Sequence, residues 1–144
     1  RVGAYPERHP EASDEKADIQ WLKKKFEAGA DSAITQFFFD AETFFKFRDR
    51  AAKEGIRGQI IPGILPIVSL GGLKRFSATC GMDVPADLEA AFEKAGNDTT
   101  ALSVDLATKM CDDLIAAGVE DLHFYTLNKP SLSKAVCRNL GITA

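Results

Sequence analysis

The feature that most constrains this chain is the regular alternation of short apolar runs with longer amphipathic stretches. Such alternation is typical of strands joined by crossover helices, because those helices cover both faces of a parallel sheet. The apolar runs predict strands at Val2–Tyr5, Ser32–Phe39, Ile60–Val68 and Val119–Leu127. The amphipathic stretches predict helices at Ala12–Ala28, from the Asp40 cap to Glu54, and at Ser69–Cys80, Pro85–Lys94, Thr99–Ala117 and Ser131–Leu140. The chain therefore contains four successive βα units.

Two of the predicted strands carry further information about the sheet. Ser32–Phe39 is almost continuously hydrophobic, as expected for a strand whose two faces are both covered. Ile60–Val68 contains Pro62, Gly63 and Pro66, which weaken a central strand, so we expect its second half to be an irregular loop. Four consecutive parallel strands can form a small doubly wound sheet or half of a (β/α)8 barrel. A complete barrel needs about 250 residues, so the 144 residues here would supply half of one.

Composition and charge exclude several functional classes. The chain is 45% hydrophobic and 27% charged, which excludes a disordered or collagen-like polypeptide. Its apolar runs fall far short of the roughly 20 residues that cross a bilayer. The formal net charge of -3 provides no basic field for a nucleic-acid backbone. We therefore expect neither a membrane nor a nucleic acid as a partner.

The cysteines and the first residues give two further expectations. Cys80, Cys111 and Cys137 are widely spaced and form no Cys-x-x-Cys pair, so they predict neither a disulfide framework nor a metal site. Thiols used in this way fit a reducing cytoplasm. The chain begins at Arg1, without an initiator Met or a signal sequence, and its first residues read as an apolar strand. We expect it to be a piece of something longer.

Candidate ligand residues lie after the strands, because both architectures bind ligands at the carboxyl ends of their strands. Gln36 is an amide at the end of a very apolar strand, and such a group costs about 1 to 3 kcal/mol if it is buried without partners. A ligand or the neighbouring backbone could supply those partners, and the residues leave both open. His9 lies between Glu7 and Glu11 in a proline-bracketed loop, where it could contact a ligand or be a solvated residue.

Two other side chains have the same two interpretations. Lys25 ends a run of three lysines and could hold a phosphate, although such a run is usually the solvated side of a helix. Phe76 could stack on a planar ligand or belong to the core. The chain has no Gly-x-Gly-x-x-Gly, no phosphate loop, no Gly-x-Ser-x-Gly and no clustered metal ligands. The residues by themselves predict an α/β domain with a polar rim, and they name no reaction.

Four segments, taken together and in order, resemble a known family. They are Ala4–Ala12, Ile34–Asp40, Ile61–Pro66 and His123–Asn128. These motifs closely resemble those of the bacterial methylenetetrahydrofolate reductases, and the resemblance spans nearly all of the chain. It is to the C-terminal half of that enzyme, whose fold is a (β/α)8 barrel. The four units here would then be the fifth to eighth of the barrel.

The resemblance implies a flavoprotein in which NADH or NADPH reduces FAD. The reduced flavin then passes a hydride to 5,10-methylenetetrahydrofolate, giving 5-methyltetrahydrofolate for methionine synthesis, and both substrates use one site in turn. The residues implied to bind the cofactor are Tyr5, His9, Pro10, Glu11, Ala12, Asp18, Lys24 and Lys25. Those implied to bind substrate are Gln36, Phe76, Tyr125 and Lys129, with Gln36 on the pterin and Phe76 stacked on either substrate.

The sequence departs from the family pattern at four of the expected contact positions. Lys129 stands where arginine is usual, which removes the planar fork suited to a carboxylate. Lys24 also replaces arginine, Trp21 replaces a smaller polar flavin contact, and Gly72 replaces a polar side chain near the folate. We expect these differences to affect how tightly FAD and folate bind, and not the family to which the chain belongs.

The resemblance also implies what these 144 residues lack. In the family the acid that protonates the folate comes from the N-terminal half, so we expect no catalytic residue here and no turnover by this chain alone. Half a barrel leaves strand edges uncovered, so we expect it to pair with the missing N-terminal half or with itself, and to form a homo-oligomer. Two alternatives are a non-catalytic flavin- or folate-binding half-barrel that self-associates, and an unrelated small-molecule α/β binding protein.

Overall fold

The computed structural model describes residues 1–96 and 99–142, and within them it contains strands and helices in the predicted alternation. The strands are β1 (Val2–Ala4), β2 (Ser32–Phe37), β3 (Gln59–Ile64) and β4 (His123–Phe124). The helices are α1 (Glu15–Glu27), α2 (Ala41–Lys53), α3 (Leu70–Cys80), α4 (Ala86–Ala95), α5 (Thr99–Ala116) and α6 (Ser131–Asn139). The last two residues of the predicted 1–144 region lie outside the described part.

The strands are hydrogen-bonded in the order β1-β2-β3-β4, which is also their order in the chain. β1 pairs in parallel with β2, and β2 pairs in parallel with β3. In a doubly wound sheet the order reverses at a switch point, whereas in a barrel each strand is added beside the previous one. Of the two architectures that the residues left open, the observed order is therefore that of consecutive barrel strands.

The pairing of β2 with β3 is interrupted where β3 contains a proline. The register shifts between Ile34 and Phe37, opposite the segment that contains Pro62, which has no N–H to donate. The next amide, Gly63 N–H, donates to Thr35 Oγ1 at 2.9 Å. Thr35 is completely buried, so a side-chain hydroxyl satisfies an N–H that has no water to bond.

Several predicted boundaries differ from the structure. β3 ends at Ile64 and is followed by irregular backbone, as the prolines predicted. The strand predicted at Val119–Leu127 is wrong in extent, because within the described residues only His123–Phe124 of this segment forms a strand. Asp121, within the predicted strand, instead accepts a hydrogen bond from the Gln59 side chain. An apolar run can thus identify a buried segment without fixing how much of it pairs.

The first two helices begin at aspartate caps. Asp40 Oδ1 accepts from Thr43 N–H at 2.8 Å, as predicted for α2. Helix α1 begins at Glu15 rather than at the predicted Ala12, because Asp14 caps it and accepts from Ala17 N–H at 2.7 Å. The later start leaves a longer loop between β1 and α1.

The chain folds as two compact units. The first comprises Arg1–Gly63 with Asp121–His123, and the second comprises Ile64–Glu120 with the chain from Phe124 onward. The core of the first unit is formed by side chains of β1, α1, β2, α2 and the loop that follows α2: Ala4, Ile19, Leu22, Ala33, Phe47, Ala51 and Ile56. In the second unit, buried side chains of α3 to α6 form the interior: Leu73, Phe92, Ala107, Cys111, Leu114, Leu132 and Val136.

We expect the substitution Thr35→Val to destabilise the first unit by about 1 to 3 kcal/mol, because it leaves a buried N–H without a partner. Urea unfolding of both proteins measures the loss, and amide exchange by NMR should show Gly63 losing protection. Thr35→Ser is the matched control, because it keeps the hydroxyl and should keep Gly63 protected. Unchanged protection of Gly63 in Thr35→Val would contradict this assignment of the hydrogen bond.

Candidate functional site

The loop between β1 and α1 brings several of the predicted cofactor residues together. Asp18, on α1, accepts a hydrogen bond from the backbone N–H of His9 at 2.8 Å. His9 Nδ1 accepts from Glu11 N–H at 3.1 Å, and the Tyr5 ring meets the imidazole edge-on, with ring centroids 4.4 Å apart. Because Nδ1 is an acceptor, Nε2 is the ring nitrogen left to donate a hydrogen bond. The other two predicted residues of this loop, Pro10 and Ala12, lie in a turn closed by Ala12 N–H and His9 O at 2.9 Å.

The last turns of α1 place two of the predicted cations in different settings. Lys25 Nζ donates to the carbonyl oxygen of Gly3, on β1, at 3.0 Å. Lys24 Nζ lies 4.4 Å from the centroid of the Trp21 ring, which is 60% exposed. A cation over an exposed aromatic ring is weakly held, by about 0.5–1 kcal/mol. Lys24 and Trp21 therefore form an exposed pair on α1, while Lys25 is tied to β1.

Gln36 lies at the shifted register of β2, where it is half-buried. Its Oε1 accepts a hydrogen bond from Phe37 N–H at 3.1 Å. Backbone therefore supplies at least one of the partners that this amide requires, which was one of the two alternatives left open by the sequence. This contact does not exclude a ligand, since a primary amide has further hydrogen-bonding capacity.

The second unit contains an open cavity of about 300 Å³ at the carboxyl ends of β3 and β4. It includes two predicted substrate residues, Phe76 and Lys129, together with Arg75. The other lining residues are Leu65, Pro66, Ile67, Val68, Ser69, Gly72, Leu73 and Leu127. Within the described residues the lining contains two cations and no carboxylate. Its chemistry suits a flat, largely apolar ligand with an anionic group.

A tight turn after β4 presents Leu127 and Lys129 to this cavity. Leu127 and Asn128 have positive φ angles of 45° and 61°, and Lys129 N–H donates to the carbonyl oxygen of Thr126 at 2.7 Å. The left-handed conformation is unfavourable for leucine, and such residues cluster at ligand sites. Just before the turn, Tyr125 N–H donates to the carbonyl oxygen of Ile64 at 2.8 Å, so its backbone continues the pairing beyond β4.

Gly72 has a local structural explanation that is independent of any ligand. Ser69 caps α3, and its Oγ accepts from Gly72 N–H at 3.2 Å. A Cβ added at Gly72 would lie 3.0 Å from that Oγ, which is tighter than ordinary contact. The glycine thus keeps the cap of α3 free of a side chain where the helix meets the cavity.

Sequence reasoning missed several residues around these two regions. Arg75, Val68 and Leu127 line the cavity together with Phe76. Val68 and Leu127 are exposed although they are apolar, and residue type alone predicts burial for such side chains. In the first unit, a cavity of about 570 Å³ was also missed. Its lining is strongly charged and consists of Pro6, Glu7, Glu15, Thr43, Lys46, Asp49, Arg50 and Lys53.

Two cysteines of the second unit, Cys80 and Cys111, are poor candidates for a nucleophile. Burial, together with smaller contributions from the nearby Cys137 and Asp112, raises the pKa of Cys111 to about 12. Burial also raises the pKa of Cys80. A thiol reacts as its thiolate, so these shifts suppress reactivity at neutral pH. Among the described residues no group of His, Cys, Asp and Glu could hold a metal ion, and no helix is long and apolar enough to cross a membrane.

Strands that follow one another in chain order across a parallel sheet, joined by helices, define part of a (β/α)-barrel. The family model "Methylenetetrahydrofolate reductase" matches residues 1–141, and the chain belongs to this family. The family predicted from the four motifs is therefore confirmed.

Individual relatives agree with this assignment. The chain is 44% identical to the 5,10-methylenetetrahydrofolate reductase of Salmonella typhimurium and 43% identical to that of Escherichia coli, in both cases over 98% of this chain and 49% of the relative. It is 36% identical to methylenetetrahydrofolate reductase (NADH) 1 of Arabidopsis thaliana, covering 26% of that protein. The chain therefore spans about half the length of the bacterial relatives it matches.

A solved structure supports the fold. It is an uncharacterized protein from Clostridium thermocellum whose description states that it binds two copies of 5-methyl-5,6,7,8-tetrahydrofolic acid. The TM-score is 0.65 at 20% identity, over 94% of this chain and 50% of that one. The similarity confirms the predicted α/β fold, and its coverage is consistent with half of a barrel.

We expect iodoacetamide at pH 8 to alkylate Cys137 at least about tenfold faster than Cys111, because the raised pKa of Cys111 leaves very little thiolate. Mass spectrometry of digests quenched at successive times measures both rates. In guanidinium chloride the two rates should converge, which serves as the control for peptide recovery. Equal rates in the folded protein would show that Cys111 is accessible and would contradict its buried position.

Proposed function

We propose that this chain is the C-terminal half of the catalytic barrel of an FAD-dependent methylenetetrahydrofolate reductase. The complete enzyme would use NADH or NADPH to reduce 5,10-methylenetetrahydrofolate to 5-methyltetrahydrofolate, in the cytoplasm, for one-carbon metabolism and methionine biosynthesis. The observation that carries the proposal is the cavity of the second unit. Phe76 and Lys129 both line this cavity, and the chain belongs to the reductase family.

The cavity matches the chemistry of a reduced folate. The pterin is flat and needs a stacking surface, which Phe76 and the neighbouring aliphatic side chains would offer. The glutamate tail is anionic, and Lys129 can attract it as a point charge even without the fork of an arginine. Folate binding by the Clostridium thermocellum protein gives the proposal further support.

The first unit fits FAD by the chemistry of its donors. His9 can donate from Nε2, Lys24 is an exposed ammonium group and Lys25 is a second cation at the edge of β1. Cations and outward N–H donors suit the pyrophosphate of a dinucleotide. We propose that Tyr5, His9, Pro10, Glu11, Ala12, Asp18, Lys24 and Lys25 hold FAD. Bound FAD would accept hydride from the nicotinamide and donate it to the folate.

We propose that the two halves of the barrel have different roles. Within the described residues that line it, no side chain is an acid that could protonate the folate. This chain would supply binding, with Gln36 on the pterin edge, Phe76 as the stacking surface, and Tyr125 and Lys129 as further substrate contacts. The proton donor belongs to the other half of the barrel.

We expect the 144-residue chain alone to show no sustained NADH- or NADPH-dependent reduction of FAD. Addition or co-expression of the N-terminal half should restore turnover, with that half alone as the control. Sustained turnover by the isolated chain would contradict the division of roles. Solution mass distinguishes the alternatives, because a self-associated half-barrel that binds flavin or folate, and gains no activity from the other half, would favour the non-catalytic binding protein.

We expect Gln36→Ala in the complete enzyme to slow reduction of the folate by about tenfold or more, and to leave reduction of FAD by NADH nearly unchanged. The reason is that the proposed partner of the amide is the pterin. Stopped-flow measurement of flavin absorbance separates the two half-reactions.

Two variants serve as comparisons for Gln36→Ala. Phe76→Ala should slow both half-reactions, because either substrate would stack on that ring. Gln59→Ala, which removes an amide from the first residue of β3, should slow neither. Equal effects of Gln36→Ala on both half-reactions would contradict the pterin assignment.

A further inference from the structure

The guanidinium of Arg50, on α2, holds both ends of the loop between β1 and α1. Its Nη2 donates to the carbonyl oxygen of Pro6 at 2.7 Å, at the start of the loop. Its Nη1 forms a hydrogen-bonded ion pair with Glu15, the first residue of α1, just after the loop ends. One planar group on a neighbouring helix thereby closes the segment 6–14, which contains the segment His9–Ala12.

The two contacts of Arg50 differ in how much they can stabilise the loop. Glu15 is 61% exposed, and an exposed ion pair by itself stabilises a protein little. The contact to Pro6 is partly buried and charge-assisted, so it is the stronger of the two. Their combination needs an arginine, because a guanidinium donates in two directions at once whereas an ammonium acts as a single point charge.

The other charges around Arg50 do not replace it. Lys46 lies 3.7 Å from Glu42 on the same helix, and Lys53 forms no ion pair within the described residues. A second contact, from Gln20 Nε2 on α1 to Oε2 of Glu54, the C-cap of α2, at 2.6 Å, joins the two segments at a point away from the loop. Arg50 is thus the cation of this cavity that connects α2 to both ends of the loop.

We propose that Arg50 is a positioning residue for the cofactor, which orders the segment 6–14 so that His9 to Ala12 are arranged before FAD binds. The inference rests on the proposed function for its ligand, but the effect on the loop does not. A loop that is already ordered loses less conformational entropy when a ligand binds. Loss of Arg50 should therefore weaken FAD binding without removing any of the residues proposed to contact FAD.

The test compares Arg50→Ala and Arg50→Lys with Lys53→Ala, a control that removes a cation from the same cavity without changing the loop contacts. Hydrogen–deuterium exchange of the 144-residue chain should show faster exchange in peptides covering 6–14 for Arg50→Ala, a partial effect for Arg50→Lys and none for Lys53→Ala. Peptides from α6 report global unfolding and should not change.

FAD affinity is then measured by flavin fluorescence in the complete enzyme. The dissociation constant should rise about tenfold for Arg50→Ala, less for Arg50→Lys and not at all for Lys53→Ala. Unchanged exchange of the loop in Arg50→Ala would overturn the positioning role, as would an Arg50→Lys chain identical to the unsubstituted one. Faster exchange with unchanged FAD affinity would overturn the link to the cofactor. Absence of FAD binding by the unsubstituted enzyme would refute the proposed function, while the exchange experiment would still decide the effect on the loop.

Discussion

A parallel sheet requires every buried amide to find an acceptor, and in this chain the requirement is most demanding beside Pro62. The ring removes one donor from β3, and the hydroxyl of Thr35 then accepts the N–H of Gly63 in place of a backbone carbonyl. Because the Thr35 hydroxyl accepts this N–H, β2 and β3 remain paired on both sides of the register shift. The shift falls where β2 carries Gln36, so the irregularity of the sheet lies beside the polar side chain at the carboxyl end of this strand.

Polar contacts between side chains and backbone fix the loops as well. Asp18 holds His9, Arg50 holds Pro6, and Ser69 caps α3 beside the cavity of the second unit. Each of these bonds satisfies a backbone group that regular structure leaves unpaired. Loops fixed in this way present ligand-binding side chains without needing a strand or helix of their own, which is how barrels of this type vary their ligands on a constant scaffold.

The sequence predicted the repeated βα pattern, the aspartate cap of α2 and the irregular backbone after β3, because each depends on neighbouring residues. It did not predict that β4 would shorten to His123–Phe124, since pairing depends on a distant strand. Arg50 was also missed, because its partners are 44 and 35 positions away in the chain. At the candidate site, residue types alone left Gln36, His9 and Phe76 with two interpretations each. Only the four ordered motifs, taken together, favoured a ligand.

The charges of the second unit bear on the proposed division of roles between the two halves of the barrel. Arg75 and Lys129 give its cavity a positive potential, which stabilises a bound anion and lowers the pKa of any acid placed beside it. A carboxylic acid that must stay protonated to donate its proton is better supplied from an apolar surface away from these cations. Separation of the cations from the acid would thus let one half of the barrel hold the substrate while the other half supplies the proton. On the proposed division of roles, placing the cations and the acid on different halves of the barrel would be an electrostatic advantage as well as a consequence of the fold.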